Sequence, residues 1–397
     1  MTKGKYAQAG VDFDLEHGVV GIFRQLFEKT RPNAADLEDI GISFPTSEED
    51  FSGGFTLNAN YVTDRFRRFK FLQSTDGPGT KPIVHAIYNG EDPVKLSSTA
   101  HDSIAMAVND LVCCGARPLT LLEYHAWHTP DLEIAAQMAV GNLRAANMSR
   151  AVITGGENAS LSSMITGPIP KKAYDMCHMA TGYLDDPDII DKPLGPGRVK
   201  PGDWVIGLSS SGIHCNGITL PWTAAIDYKN RGFEYSFLLN KKDSQLGESL
   251  AEAILTPTII YVRPVLELIN DFEQHIHAIA NITGEGVHNM HRVIPAGTGL
   301  QLNYDADGVQ KQHPIFGWVQ KHAEVSEKEM YEVYNMGTGM VLIVNPATAK
   351  DIIRSAHELG QASEQPFSAY KLGEVNNEAG VIRVDSHEHN VHIYGGE

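Results

Sequence analysis

Cysteine is scarce, with only Cys113, Cys114, Cys177 and Cys215 in 397 residues. Two are adjacent, and no Cys-x-x-Cys or His-rich ligand spacing accompanies them. Neither a disulfide framework nor a structural zinc site is therefore expected, and all four read as buried thiols. Basic residues are also few. The 32 Lys and Arg face 49 Asp and Glu, a net charge of −17. Such a balance disfavours nucleic acid and anionic membrane as partners, since both need basic patches. Long apolar runs are missing too: none is long and uninterrupted enough to cross a bilayer, and Met1-Thr2-Lys3-Gly4-Lys5 lacks the apolar stretch of a secretory signal. The expectation is a cytoplasmic protein without repeats or low-complexity tracts.

The length exceeds what one core usually spans, and 42% hydrophobic residues suffice for two. Apolar runs such as Trp204 to Leu208 and Met340 to Val344 alternate with helical patterns such as Ile259 to Ile269, which predicts a mixed α/β architecture. Between Asp185 and Asp203, four prolines and three glycines gather. That composition marks a connection, giving domains over 1–190 and 191–397.

Ser74-Thr75-Asp76-Gly77-Pro78-Gly79-Thr80-Lys81 sets one carboxylate among glycines, with a lysine after them. Gly77 and Gly79 let main-chain N–H groups approach anionic oxygens, Asp76 suits a hard divalent cation, and Lys81 adds positive charge. By itself the segment reads equally well as an Asp-Gly turn. Downstream, Ser103 to Val112 has a helical stripe of Ile104, Val108, Leu111 and Val112. Asp102 and Asn109, seven residues apart, fall on a common face turned away from that stripe. A third segment, Ala151 to Ala159, is a short β-favouring run giving way to Gly155-Gly156 and then Glu157, a further carboxylate for a cleft. In isolation, a solvated helix face and an exposed strand-ending Glu explain these two segments.

In the second half, Ser209 to Gly217 follows an apolar run and offers hydroxyls and small residues, with a helix expected to start near Gly217. His214 lies in the middle of this anion cradle, either as a chemical group or as a structural histidine. Thr283-Gly284-Glu285-Gly286 is a second such turn.

These segments, in this order, resemble phosphoribosylformylglycinamidine cyclo-ligase, or AIR synthetase. The resemblance starts at Tyr6-Ala7-Gln8-Ala9-Gly10-Val11-Asp12 and runs through the Asp76 loop, Ala107 to Leu111, Gly155-Gly156-Glu157 and Ser209 to Gly217. It continues through Thr256 to Val262, Ile279 to Gly286 and Tyr334 to Met340. It implies two mixed α/β domains, the N-terminal one contributing a barrel-like interface to a homodimer, with ATP and Mg2+ as cofactors. The implied reaction is ATP-dependent cyclisation of formylglycinamidine ribonucleotide to aminoimidazole ribonucleotide, with release of ADP and phosphate. Residue by residue, it implies Asp76, Asp102 and Glu157 on the metal. Gly10, Asp12, Gly77, Gly79, Thr80, Lys81, Asn109 and Asp110 would serve ATP. Ser210, Ser211, Gly212, His214 and Asn216 would serve the ribonucleotide, with His214 and Lys81 in the chemistry.

Departures from the family pattern fall at Ala7, where a lysine is usual, from Asn158 to Ser163, where a second acid and a proline are gone, and at Glu285, which replaces a glycine. Two other readings stay open: a related ATP-using enzyme of altered substrate, and an inactive nucleotide-binding homologue. Selenophosphate synthetase fits poorly, because no cysteine precedes Cys113.

Overall fold

The computed structural model describes residues 13–44, 55–57, 69–169, 171–230, 235–306, 308–309 and 312–395. The chain divides into two compact units, Met1–Leu111 with Ala116–Pro187, and Val112–Gly115 with Asp188–Glu397.

In the first unit, α1 (Phe13–Thr30) leads into a 3-10 helix (Arg31–Ile40) and a short ladder of β1 (Ile42–Ser43) with β2 (Thr56–Leu57). A four-stranded sheet follows, built from β3 (Lys70–Asp76), β4 (Arg117–Trp127), β5 (Val152–Ser160) and β6 (Tyr174–Leu184) in the order β3-β6-β4-β5. β4 and β5 run parallel and the other neighbours antiparallel. The helices that accompany it include α2 (Lys81–Ile87), α3 (Ser98–Cys113) and α4 (Leu132–Ser149).

α4 starts where Asp131 accepts hydrogen bonds from the Glu133 and Ile134 N–H groups, satisfying two free donors of its first turn. Its Ile134, Ala135, Met138 and Ala139 pack against Val19, Phe23 and Leu26 of α1. A Cβ on Gly141 would lie 2.1 Å from the Ser97 carbonyl oxygen, so α4 rests directly on the backbone that begins α3. The sequence assigns α3 one apolar stripe and one polar face. Instead, every residue from Ser98 to Asn109 is buried, the polar ones included. Its small side chains, five of them Ala or Ser, leave little surface to turn outward.

The second unit holds a seven-stranded sheet in the order β13-β12-β9-β11-β7-β10-β8. Its strands are β7 (Trp204–Ser209), β8 (Ile276–Asn281), β9 (Gly299–Asn303), β10 (Thr338–Val344), β11 (Ala369–Asn376), β12 (Ile382–Asp385) and β13 (Val391–Tyr394). β12 pairs parallel with β9 and the remaining neighbours are antiparallel. All seven residues of β10 are buried, as expected of a central strand rich in Val, Leu and Ile. The helices of this unit include α5 (Thr219–Asn230), α6 (Val262–Phe272) and α7 (Ala349–Ala362).

Of the four thiols, Cys215 alone is buried. Cys113 and Cys177 are partly exposed and Cys114 is exposed, which corrects the expectation of four buried thiols. Among the described residues no helix is long and apolar enough to cross a membrane.

Candidate functional site

The Asp76 loop is the strand-to-turn junction that its glycines imply. Asp76 ends β3, its Oδ1 accepts the Gly77 N–H at 2.7 Å, and Gly79 has a φ of 59°. A Cβ on Gly77 would sit 2.7 Å from the Met176 carbonyl oxygen, so glycine is required where the loop passes β6. Burial pushes the Asp76 carboxyl up, the Gly77 N–H opposes this, and the nearby Asp110 carboxylate pushes it up further. Two acids near enough to repel one another are a natural seat for a cation.

Lys81 does something different from its expected phosphate contact. Its Nζ lies 2.5 Å from Asp102 Oδ2, and both side chains have no exposed surface. The helical geometry of α2 turns Lys81 inward, so in this structure it is the partner of a buried carboxylate. His85, one turn later on the same face, is also buried, with Nδ1 2.7 Å from the Tyr174 hydroxyl. Burial holds its imidazole down at about 4. The unfolded chain therefore takes up a proton below about pH 6.5 that the folded chain refuses, so stability is lost as pH falls through that range. Between pH 7 and pH 5 wild type is expected to lose about 2 kcal/mol more than His85→Gln, by denaturant melts at each pH.

Glu157 stands apart. The register links Asp76 to His178, His178 to Glu123 and Glu123 to Gly156, so Asp76 and Glu157 occupy opposite edges of the sheet. Three strand spacings separate them, about 14 Å. By strand alternation, Glu157 shares the exposed face with Tyr124 and Cys177, whereas Asp76 shares the row of buried His178 and Glu123. Among the described residues, no group of three His, Cys, Asp or Glu could hold a metal ion. Within one chain, a strand order that sequence spacing does not report thus sets Glu157 at the far edge from Asp76, and Asp102 pairs with Lys81. β5 also runs on to Ser160 and does not end at the glycines. Gly156 instead makes room for a neighbour, since a Cβ there would lie 2.4 Å from Glu123 Cγ. Asn109 is fully buried and Asp110 exposed. Gly10 and Asp12 lie outside the described residues.

In the second unit the strand order brings the motifs together. β7 and β10 are antiparallel, as are β10 and β8, so the ends of β7 and β8 meet the start of β10. The Ser210 hydroxyl donates to Asn335 Oδ1 at 3.0 Å, and Asn335 Nδ2 donates to the Gly212 carbonyl at 2.9 Å. Ser211 Oγ donates to the Pro257 carbonyl, Tyr261 OH to the Ser209 carbonyl, and Tyr334 OH to the Gly217 carbonyl. Asn216 lies beside Gly284, whose added Cβ would approach its Oδ1 to 3.4 Å. Its Nδ2 is buried without a hydrogen-bond partner among the described residues. Glu285, in contrast, points outward and pairs with Arg292.

His214 is 3% exposed and has a φ of 55°, an uncommon conformation for a non-glycine residue. Its Nε2 accepts the Ser211 N–H at 3.3 Å. A Cβ on Gly339 would lie 2.6 Å from its Cε1. His214 is thus clasped inside the loop. Asn335, Tyr261 and His313, whose Nε2–H donates to the Ser210 carbonyl at 2.9 Å, are the loop's anchors. For Asn335 and Tyr261 a polar side chain within an otherwise apolar or glycine-rich motif is the available signal, whereas His313 follows the polar run Gln310-Lys311-Gln312 and carries none.

Known proteins share this organisation. The N-terminal domain family of AIR synthase related proteins matches residues 62–182, and the corresponding C-terminal domain family matches 200–385. Phosphoribosylformylglycinamidine cyclo-ligase of Symbiobacterium thermophilum is 32% identical over 93% of this chain and 94% of its own. That of Pyrococcus horikoshii is 32% identical over 96% and 98%. Hydrogenase maturation protein HypE, solved in complex with ATP, has the same fold at a TM-score of 0.54 and 17% identity, covering 82% of this chain and 84% of that one. Both domains matched in order, with relatives spanning nearly the full length, place the chain in the phosphoribosylformylglycinamidine cyclo-ligase family.

Proposed function

We propose that this protein is an ATP-dependent cyclo-ligase that converts formylglycinamidine ribonucleotide to aminoimidazole ribonucleotide, ADP and phosphate. The observation that carries the reading is the gathering of the Ser209, Thr256, Ile279 and Tyr334 segments at one end of the second sheet. The formyl oxygen of the substrate is a poor leaving group until phosphorylated. Once it carries the γ-phosphoryl group, the amidine nitrogen closes the ring and phosphate departs. Phosphoryl transfer of this kind depends chiefly on positioning and charge neutralisation.

In this reading Asp76 and Asp110 hold Mg2+, which when bound neutralises the phosphates of ATP, and the Gly77 to Thr80 backbone lines the phosphates. Lys81 serves by fixing Asp102 behind that loop. Ser210, Ser211, Gly212 and Asn216 take the ribonucleotide, with the buried Asn216 amide as its best-placed donor. The open face of the first sheet, carrying Leu122, Tyr124, Met179 and Glu157, is the face we assign to a homodimer. A second copy docked there is the route by which Glu157 serves the site.

The test is direct: purified protein with Mg-ATP and formylglycinamidine ribonucleotide should release ADP and the cyclised ribonucleotide. ADP release without cyclisation would favour an enzyme of altered substrate. His214→Ala is expected to lower turnover far more than ATP affinity, because it frees the Ser211 N–H and loosens the ribonucleotide loop. Unchanged turnover would leave His214 a purely structural residue.

A further inference from the structure

Behind the exposed face of the first sheet lies a polar cluster that the reaction above does not use. Glu123 and His125 of β4, His178 of β6 and Asn142 of α4 are all at least 96% buried. The His125 and His178 Nε2 atoms lie 3.6 Å and 3.5 Å from Glu123 Oε2, and Asn142 Nδ2 donates to the same oxygen at 2.5 Å. The hydrogen-bond partners decide where the imidazole protons are. His125 Nδ1 faces Asn158 Oδ1, which also accepts the Trp127 indole N–H. It is an acceptor, so Nδ1 carries the proton and Nε2 is a bare lone pair. His178 Nδ1 faces Ser103 Oγ at 2.9 Å, and Ser103 spends its own proton on the Asp76 carbonyl at 3.0 Å. Its Nε2 is therefore bare too. Neither Nε2 has a hydrogen-bond partner among the described residues.

Two imidazole lone pairs thus face a carboxylate oxygen in a dry interior. With Glu123 ionised, three acceptors would meet with the Asn142 amide as their sole donor among the described residues, a costly arrangement at low dielectric. One proton on Glu123 turns it into a donor that an imidazole can accept.

We propose that Glu123 carries a proton at neutral pH and that, through His178 and Ser103, it is a positioning residue for the Asp76 end of β3. Burial pushes the Glu123 carboxyl up to about 7, against the pull of His125 and the Asn142 amide, and pushes the His178 imidazole down. The groups facing Glu123 are His125 from its own strand, His178 from β6, the Asn142 amide from α4 and the Gly156 backbone from β5. Asn158 from β5 and Ser103 from α3 hold the imidazoles from behind, and the Phe23 ring of α1 covers His125. Loss of the proton above neutrality sets the carboxylate against both lone pairs and loosens the His178–Ser103–Asp76 chain. The consequence for Asp76 rests on the proposed Mg-ATP role, whereas the proton itself does not.

Two measurements separate these points. Infrared spectra of the wild-type protein across pH 5 to 9 should show a protonated carboxylic acid band that disappears near pH 7 and is missing from Glu123→Gln. Glu123→Gln supplies a permanent donor, so it should also remove an alkaline fall in Mg-ATP affinity expected in wild type to be about tenfold, the equivalent of one pKa unit. Glu123→Ala should lose affinity at every pH. The proposal is overturned by a wild-type protein without the titrating band, or by a Glu123→Gln protein that keeps the same alkaline fall. Should Glu123→Gln fail to fold, the same titration of Asp76→Ala decides, since a band that persists there is not that of the other raised carboxyl and a band lost there overturns the proposal. A titrating band in a protein that makes no cyclised ribonucleotide would refute the proposed reaction and leave the proton in place.

Discussion

Lys81→Met is expected to cost about 3–5 kcal/mol of folding stability, because it removes the cation beside the Asp102 carboxylate in a site with no exposed surface. The double replacement Lys81→Met with Asp102→Asn should recover much of that loss, since removing both charges avoids the unpaired buried ion. Denaturant melts of the two single variants and the double variant complete the cycle. The outcome discriminates sharply between two roles. A lysine that binds phosphate would leave stability within a few tenths of a kcal/mol and weaken ATP binding instead. Large destabilisation with near-complete rescue places Lys81 in the framework behind the loop. A double variant no more stable than Lys81→Met would contradict the buried-pair account.

Asp76→Ala should reduce turnover by at least about a hundredfold, the scale on which removal of electrostatic stabilisation is felt. It should also abolish the upward shift of melting temperature that Mg-ATP gives the wild-type protein through preferential binding to the folded state. Because the Asp76 carboxyl is pushed up by burial and by Asp110, losing it relieves repulsion, and the apo protein should be no less stable than wild type. Activity and stability thus move independently. An Asp76→Ala protein that retains Mg-ATP-dependent stabilisation would remove Asp76 from the nucleotide site.

The elements with strong periodicity were legible. Trp204 to Leu208 and Met340 to Val344 read as strands and are strands, and the helix expected to start near Gly217 begins at Thr219. The family resemblance supplied the order of the motifs, and strand pairing explains why those of the second unit meet. Strand order itself is non-local, which is why Asp76 and Glu157 looked compatible until β3 and β5 fell on opposite edges. Burial misled in the same way: Lys81 and Asp102 are ordinary surface residue types, and only their mutual approach makes an interior position tolerable. The Glu123 cluster left one trace, two titratable residues at i and i+2 within the apolar run Leu121 to Trp127. In a strand that spacing sets both on one face. Its third member, His178, is distant in sequence and is set opposite Glu123 by the sheet register.

Gly141 precedes Asn142, the residue that reaches Glu123, and owes its place to the Ser97 carbonyl oxygen that a methyl group there would strike. Adding that methyl would lift α4 off the turn by roughly the thickness of a carbon atom, and the amide one residue along would be withdrawn from the carboxyl it now touches. The depth at which a helix lies is therefore linked to the ionisation of an acid on the strand beneath. A substitution with no charge of its own would then shift the acidity of a group it never contacts.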